Sequence, residues 1–197
     1  MKLLLASRSE ARRAMLDAAG IPYSAVEAEL DEASAKSGLI GAGFGGSEVA
    51  EELAQLKALS VVADEGELVL GSDQILETAS GELLGKPESR AHAFDQLAAL
   101  RGATHRLHSA AVIVERGRSI WAATESVALT MRSFSDAFLA DYLEREYDRI
   151  RWSVGGYQIE GAGVQLFERI EGSHFAILGM PLLPLLIYLR ERGLIAR

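Results

Sequence analysis

The chain contains no cysteine. Disulfides, thiolate metal sites and cysteine nucleophiles are excluded, and the composition suits a reducing cytoplasm. Net positive charge is missing as well: 20 Lys and Arg stand against 28 Asp and Glu, for a formal net charge of -8. A general nucleic-acid binder carries a basic surface, so any anion site here has to be a local basic cluster within an acidic protein. Long apolar runs are also lacking. The stretch from Phe175 to Leu189 is broken by Gly179, Pro181 and Pro184 and is too short to span a bilayer. "MKLLLASRS" leaves its apolar run too early for the core of a signal peptide. The partners expected therefore include neither nucleic acid nor membrane, and the expected location is cytoplasmic.

What is there fits one compact domain over residues 1–197, with 49% hydrophobic and 24% charged residues, the balance of an ordinary globular protein. Lys2–Ala6 reads as a buried strand, followed by a helix from about Glu10 to Ala19 with Gly20 behind it. "IPYSAVEAEL" reads as a second strand leading to Asp31-Glu32. Residues 37–46, "SGLIGAGFGG", read as a flexible loop, after which Ser47 caps a long amphipathic helix. "ELVLGSDQIL" is a strand that ends in a polar pair, and "ILETASGELLGKP" a hairpin around Ser80-Gly81. Ser89 to Leu100 is a helix stopped at Gly102. Two long strands follow, "THRLHSAAVIVE" and "RSIWAATESVALTMR", turning at Arg116-Gly117. Phe134, the cap Ser135 and Leu139 form a hydrophobic-staple pattern opening another helix. "VQLFERI" and "HFAIL" read as short strands, and Leu182–Arg192 as a closing helix. Helices alternate with strands around one antiparallel excursion, which is an α/β fold with a mixed sheet.

The chemistry-bearing positions start at "LLLASRSEARR", Leu3 to Arg13. The first turn of a helix disfavours cations, so Arg12 and Arg13 next to that turn want an explanation. Ser7-x-x-Glu10 has the spacing of a capping box. The arginines either form a solvated face or grip phosphate oxygens beside free backbone amides. Gly41-x-Gly43-x-x-Gly46 spells a dinucleotide fingerprint, but no strand precedes it. In "GSDQ", Asp73 falls at the expected end of a central strand, where open α/β sheets bind ligands; it is either a turn-starting Asp or an acid able to hold a divalent cation or deprotonate water. Asp31-Glu32 offers further metal ligands or an ordinary acidic loop. Lys57 lies in the long helix, and Lys86 is held extended by Pro87. His105 and His108 fall on opposite faces of a strand and do not form a metal pair. Acids for a metal together with several cations are the equipment of phosphoryl chemistry on a small anionic substrate.

Seven motifs occur in register with the Maf family. Ser7-x-Ser9-x-x-Arg12-Arg13, Asp31-Glu32, "LAQLKA" with Lys57, "GSDQ", "GKP", "EGAGVQLFERIEG" and "LGMPL" follow one another along nearly the whole chain, and "L-x-G-x-T-H" also fits. The resemblance implies an elongated, bilobed α/β fold similar to the inosine triphosphatases, with a mixed sheet, flanking helices and a central cleft, in proteins that are often dimeric. It implies a nucleoside triphosphate pyrophosphatase that makes a monophosphate and pyrophosphate with a divalent metal, Mg or Mn. By the same resemblance Asp73, Lys86 and Glu32 are catalytic, Asp73 and Glu32 being the metal ligands, and Ser7, Arg12, Arg13 and Lys57 bind the substrate. Gln74 and Glu160 match the branch that prefers 7-methyl-GTP, while Ala11 replaces a residue often aromatic there and Ala103 a usual Lys. A carboxylate at 160 also suits guanine, whose N1–H and N2–H₂ form a donor pair. The expectation is removal of a modified, guanine-type nucleotide before it enters nucleic acid. Two alternatives stand beside it: a nucleotide-sensing septum inhibitor in which catalysis is not essential, and a dinucleotide enzyme using the Gly41–Gly46 loop.

Overall fold

The computed structural model describes residues 1–196. Strands β1 (Lys2–Ala6), β2 (Ser24–Val26), β3 (Glu67–Glu77), β4 (Leu83–Leu84), β5 (Thr104–Glu115), β6 (Arg118–Met131) and β7 (Phe167–Glu171) form one mixed sheet. Its order is β2-β1-β3-β5-β6-β7, with β4 pairing to β3. β1 is parallel to both β2 and β3, whereas β4 is antiparallel to β3 and β7 to β6. The helices are α1 (Glu10–Ala18), α2 (Glu32–Gly41), α3 (Gly46–Leu59), α4 (Arg90–Leu100), α5 (Asp136–Ile150), α6 (His174–Ile177) and α7 (Leu182–Glu191). The α/β class with a mixed sheet is thus observed. No helix among the described residues is long and apolar enough to cross a membrane.

The chain forms two compact units. The first comprises Met1–Gln74, His108–Ser126 and Ser173–Arg197. Its core joins Leu3 and Leu5 of β1, Met15 and Leu16 of α1, Leu68 and Leu70 of β3, and Leu185 and Leu189 of α7. β3 is buried along most of its length, as a strand flanked on both sides requires. The second unit comprises Ile75–Leu107 and Val127–Gly172. There α4 and α5 pack together, and His105, Tyr157 and Phe167 form a ring cluster.

Several local expectations match the observed elements. The β5–β6 connection has Arg116 at φ 51 and Gly117 at φ 70, the paired left-handed residues of a tight hairpin turn. Ser89 and Ser135 cap α4 and α5 through their side chains. Other expectations need correction. Residues 37–41 belong to α2, whose N-cap Asp31 accepts from Ser34 N at 3.1 Å, so the glycine-rich segment is half helix. It follows a helix and not a strand, which removes the dinucleotide fingerprint. The cap of α3 is Gly45, not Ser47. The second strand shrinks to Ser24–Val26, and "HFAI" is helix α6, a short apolar run that periodicity alone could not assign. Val164–Leu166 lie in a 3₁₀ turn before β7.

Candidate active site

The site residues of the first unit gather where β1 stops and β3 continues. The parallel register pairs Ala6 with Gly71, so Ser7–Ser9 leave the sheet beside Ser72 and Asp73. Asp73 therefore lies within β3, past the end of its β1 partner, and not at the end of its own strand as the sequence suggested. The difference arises because the chain carries on into the antiparallel hairpin with β4, through Leu76↔Leu84 and Glu77↔Leu83.

The turn into α1 is also not the capping box expected of Ser7 and Glu10. The cap is Ser9, whose side chain accepts from Arg12 N at 3.4 Å. Ser7 is buried and its Oγ accepts instead from Ser9 N at 3.2 Å and from the Arg12 guanidinium at 3.4 Å. Arg12 is buried too, and its Nε donates to the Gly179 carbonyl at 2.9 Å. The same carbonyl accepts from the fully buried Ser72 Oγ at 3.0 Å. Gly179 holds φ +105, with the Arg12 guanidinium 3.4 Å from where a Cβ would stand, a conformation that glycine adopts without strain. Burial pushes the Arg12 guanidinium down from its ordinary value, opposed by the charges of Asp73 and Glu32. Arg13 donates to the Ser7 carbonyl at 3.1 Å, while its Nε is buried with no hydrogen-bond partner among the described residues. A buried guanidinium N–H left open is a donor in want of an acceptor.

Lys57 is the centre of the cluster. β3 approaches α3 so closely at Gly71 that a Cβ there would overlap the Ala54 carbonyl oxygen. Lys57, three residues on, is thereby set over the strand. The residue is only 6% exposed, and its ammonium lies 2.6 Å from Asp73 Oδ1 and 3.0 Å from Glu32 Oε2. Glu32 opens α2, whose cap is Asp31; Asp31 spends both carboxylate oxygens on Ser34 and is a capping residue. Sequence reasoning missed Lys36, which α2 carries one turn after Glu32 and which feels the charge of Asp73. The i, i+4 spacing of Glu32 and Lys36 was the available signal, hidden by reading this segment as loop.

Gln74 points its amide nitrogen inward, donating to Ser109 Oγ at 3.0 Å and to the Ala176 and Ile177 carbonyls, both at 2.9 Å. It ties β3 to α6. Ala11 is half-buried on the first turn of α1. Lys86 and Glu160 belong to the second unit, Lys86 exposed after the β4 hairpin and Glu160 exposed in a turn after Tyr157. His105 bonds Tyr157 Oη at 2.7 Å, whereas His108 bonds Ser126 Oγ at 2.7 Å.

Glu32 and Asp73 both reach one cation, the Lys57 ammonium. Among the described residues no group of three or more His, Cys, Asp or Glu could hold a metal. A magnesium-type ion is ordinarily held by one or two carboxylates with substrate phosphates and water completing the shell, so this oxygen pair fits one.

Carboxylates and buried cations thus meet beside the end of β1. The chain belongs to the Maf family, the group described as Maf-like protein, which it matches over residues 2–192. A protein of Sphingopyxis alaskensis named nucleoside triphosphate pyrophosphatase is 46% identical over 195 residues, covering 98% of each chain. One of the same name from Caulobacter vibrioides is 46% identical over 189 residues, covering 96% of this chain and 94% of its own. A solved nucleoside-triphosphatase / dITP/XTP pyrophosphatase from Mycobacterium abscessus is 16% identical, with a TM-score of 0.49 over 98% of this chain and 96% of its own. The curated relatives carry the name of hydrolases acting on acid anhydrides.

Proposed function

We propose that this protein hydrolyses a non-canonical or modified nucleoside triphosphate, of guanine type such as 7-methyl-GTP, to the monophosphate and pyrophosphate, keeping it out of nucleic acids. The observation that carries the reading is the Lys57 ammonium held between Glu32 and Asp73, next to an arginine cluster at the mouth of α1. Asp73 takes the proton of a water that attacks the α-phosphorus; the bond from that phosphorus to the bridging oxygen breaks, and pyrophosphate leaves. Lys57 and Arg13 neutralise charge on the phosphate oxygens as it develops. Ser7 and Arg12 act beneath these groups, Arg12 fastening the Ser7 turn to Gly179 and keeping the α1 mouth in shape. Lys86 serves the triphosphate and Glu160 the base by correspondence with the family motifs. Glu32 and Asp73 would hold a Mg or Mn ion, which supplies Lewis-acid polarisation of the phosphate oxygens when bound.

The test is pyrophosphate release from a nucleotide panel with and without magnesium or manganese. Asp73→Asn is expected to lose at least about a hundredfold in rate, the usual worth of a positioned general base. A fully active Asp73→Asn enzyme would remove this mechanism. A wild type that binds nucleotide without cleaving it, with Asp73→Asn binding equally well, would favour the sensing role instead.

A further inference from the structure

None of the ten residues of α2 is buried, so this helix lacks the apolar stripe that normally holds a helix to its neighbours. It packs beside α3, and polar ties hold its first turn. Asp31 caps Ser34, and Glu32 reaches the Lys57 ammonium. Lys36 stands one turn beyond Glu32 on the same face. Side chains on a helix lean toward its N-terminus, the direction in which Glu32 lies from Lys36. Ser34, Ser37 and Gly38 around it are exposed, yet Lys36 is half-buried. Its charge is felt at Asp73: burial pushes the Lys36 ammonium down, and the Asp73 carboxylate opposes that shift.

We propose that Lys36 is a substrate-binding cation of the triphosphate site, delivered by α2 as Lys57 is by α3 and Arg13 by α1. The assignment rests on the reading that this site takes a nucleoside triphosphate. Charge supports it. Glu32 and Asp73 set two carboxylates against the one Lys57 ammonium, and Arg12 is engaged by Gly179 and Ser7. A triphosphate brings several further negative charges, and in a chain of net charge -8 they need local cations to meet them. A bland role exists for Lys36, as the partner of Glu32 in an i, i+4 pair that steadies the helix. The two roles differ in what they change: a helix pair affects thermal stability and leaves affinity for polyphosphate alone.

The experiment compares wild type, Lys36→Met and Lys36→Arg in the full chain. Steady-state pyrophosphate release from GTP and 7-methyl-GTP separates kcat from KM, and calorimetry with inorganic tripolyphosphate and magnesium measures binding without a base. Lys36→Met is expected to raise KM roughly tenfold and to weaken tripolyphosphate by a similar factor, the loss of one charge-assisted contact. Lys36→Arg should recover most of both, and Tm should stay within about 2 °C of wild type. Unchanged KM and tripolyphosphate affinity in Lys36→Met would overturn the assignment, as would a fall in Tm with both affinities intact. A wild type that binds tripolyphosphate yet cleaves no nucleotide would defeat the pyrophosphatase reading, while the calorimetric comparison would still decide Lys36.

Discussion

Replacing Gly71 with alanine perturbs the contact that sets Lys57 over Asp73. A methyl group there would overlap the Ala54 carbonyl oxygen and lie 2.9 Å from the Ala58 nitrogen and 3.0 Å from the Ala54 carbonyl carbon. All three are backbone atoms of α3, so no rotamer change can relieve them. Restoring ordinary contact at about 3.5 Å means displacing α3 from β3 by roughly half an ångström at the nitrogen and by more at the oxygen. Overpacking of this kind costs about 1–3 kcal/mol, which for a chain of this size lowers Tm by about 2–12 °C. The displaced segment carries Lys57, whose 2.6 Å contact to Asp73 has no slack. A misplacement near 1 Å at a reacting centre can cost about a hundredfold in rate. Gly71→Ala should therefore lose turnover at temperatures where it is still fully folded. Circular dichroism melts and pyrophosphate release at 20–25 °C below Tm make the comparison. Wild-type melting together with wild-type turnover would refute the reasoning, because it would mean that β3 and α3 are not in contact at Gly71.

Gly38→Ala should raise stability by about 0.5–1 kcal/mol in urea unfolding, because Gly38 lies inside α2 and nothing stands within 4 Å of its missing Cβ. His105 is buried, and burial pushes its imidazole down to about 4. The unfolded chain takes up that proton near pH 6.5 and the folded chain only near 4, so stability should be complete above pH 6.5 and fall between 6.5 and 4, by about 3 kcal/mol in all. Urea midpoints measured across that window should show the slope, and His105→Gln should lessen it. Arg12→Lys should lower both Tm and turnover, since an ammonium cannot serve Gly179 and Ser7 from one planar fork; a variant with unchanged melting would show that this tie is idle.

Much of the secondary structure is legible because its causes are local. Ser89 and Ser135 cap helices three residues ahead of the donors they satisfy, and Arg116-Gly117 turns the hairpin through its own backbone angles. The helix α2 escaped because Gly38 and Gly41 are poor helix formers and its residues show no apolar periodicity. Its only markers were the Asp31 cap and the Glu32–Lys36 spacing. Losing α2 from view also hid Lys36. The bond between Ser7 and Arg12 was not legible, because Ser7 and Ser9 are equally good caps by type.

The sequence by itself determined the alternation of helices and strands, the acidic background, the absence of thiol chemistry and, through motif order, membership of the Maf family. Those properties depend on composition and on neighbours a few residues apart. Only the tertiary structure decided which charges meet. Lys57 and Asp73 are 16 residues apart, and Arg12 and Gly179 are 167 apart. Their contacts exist because parallel strands stop at different points and because one glycine lets a helix lie against β3. Electrostatic partnership falls off with distance through space, and distance through space is set by how the chain crosses itself.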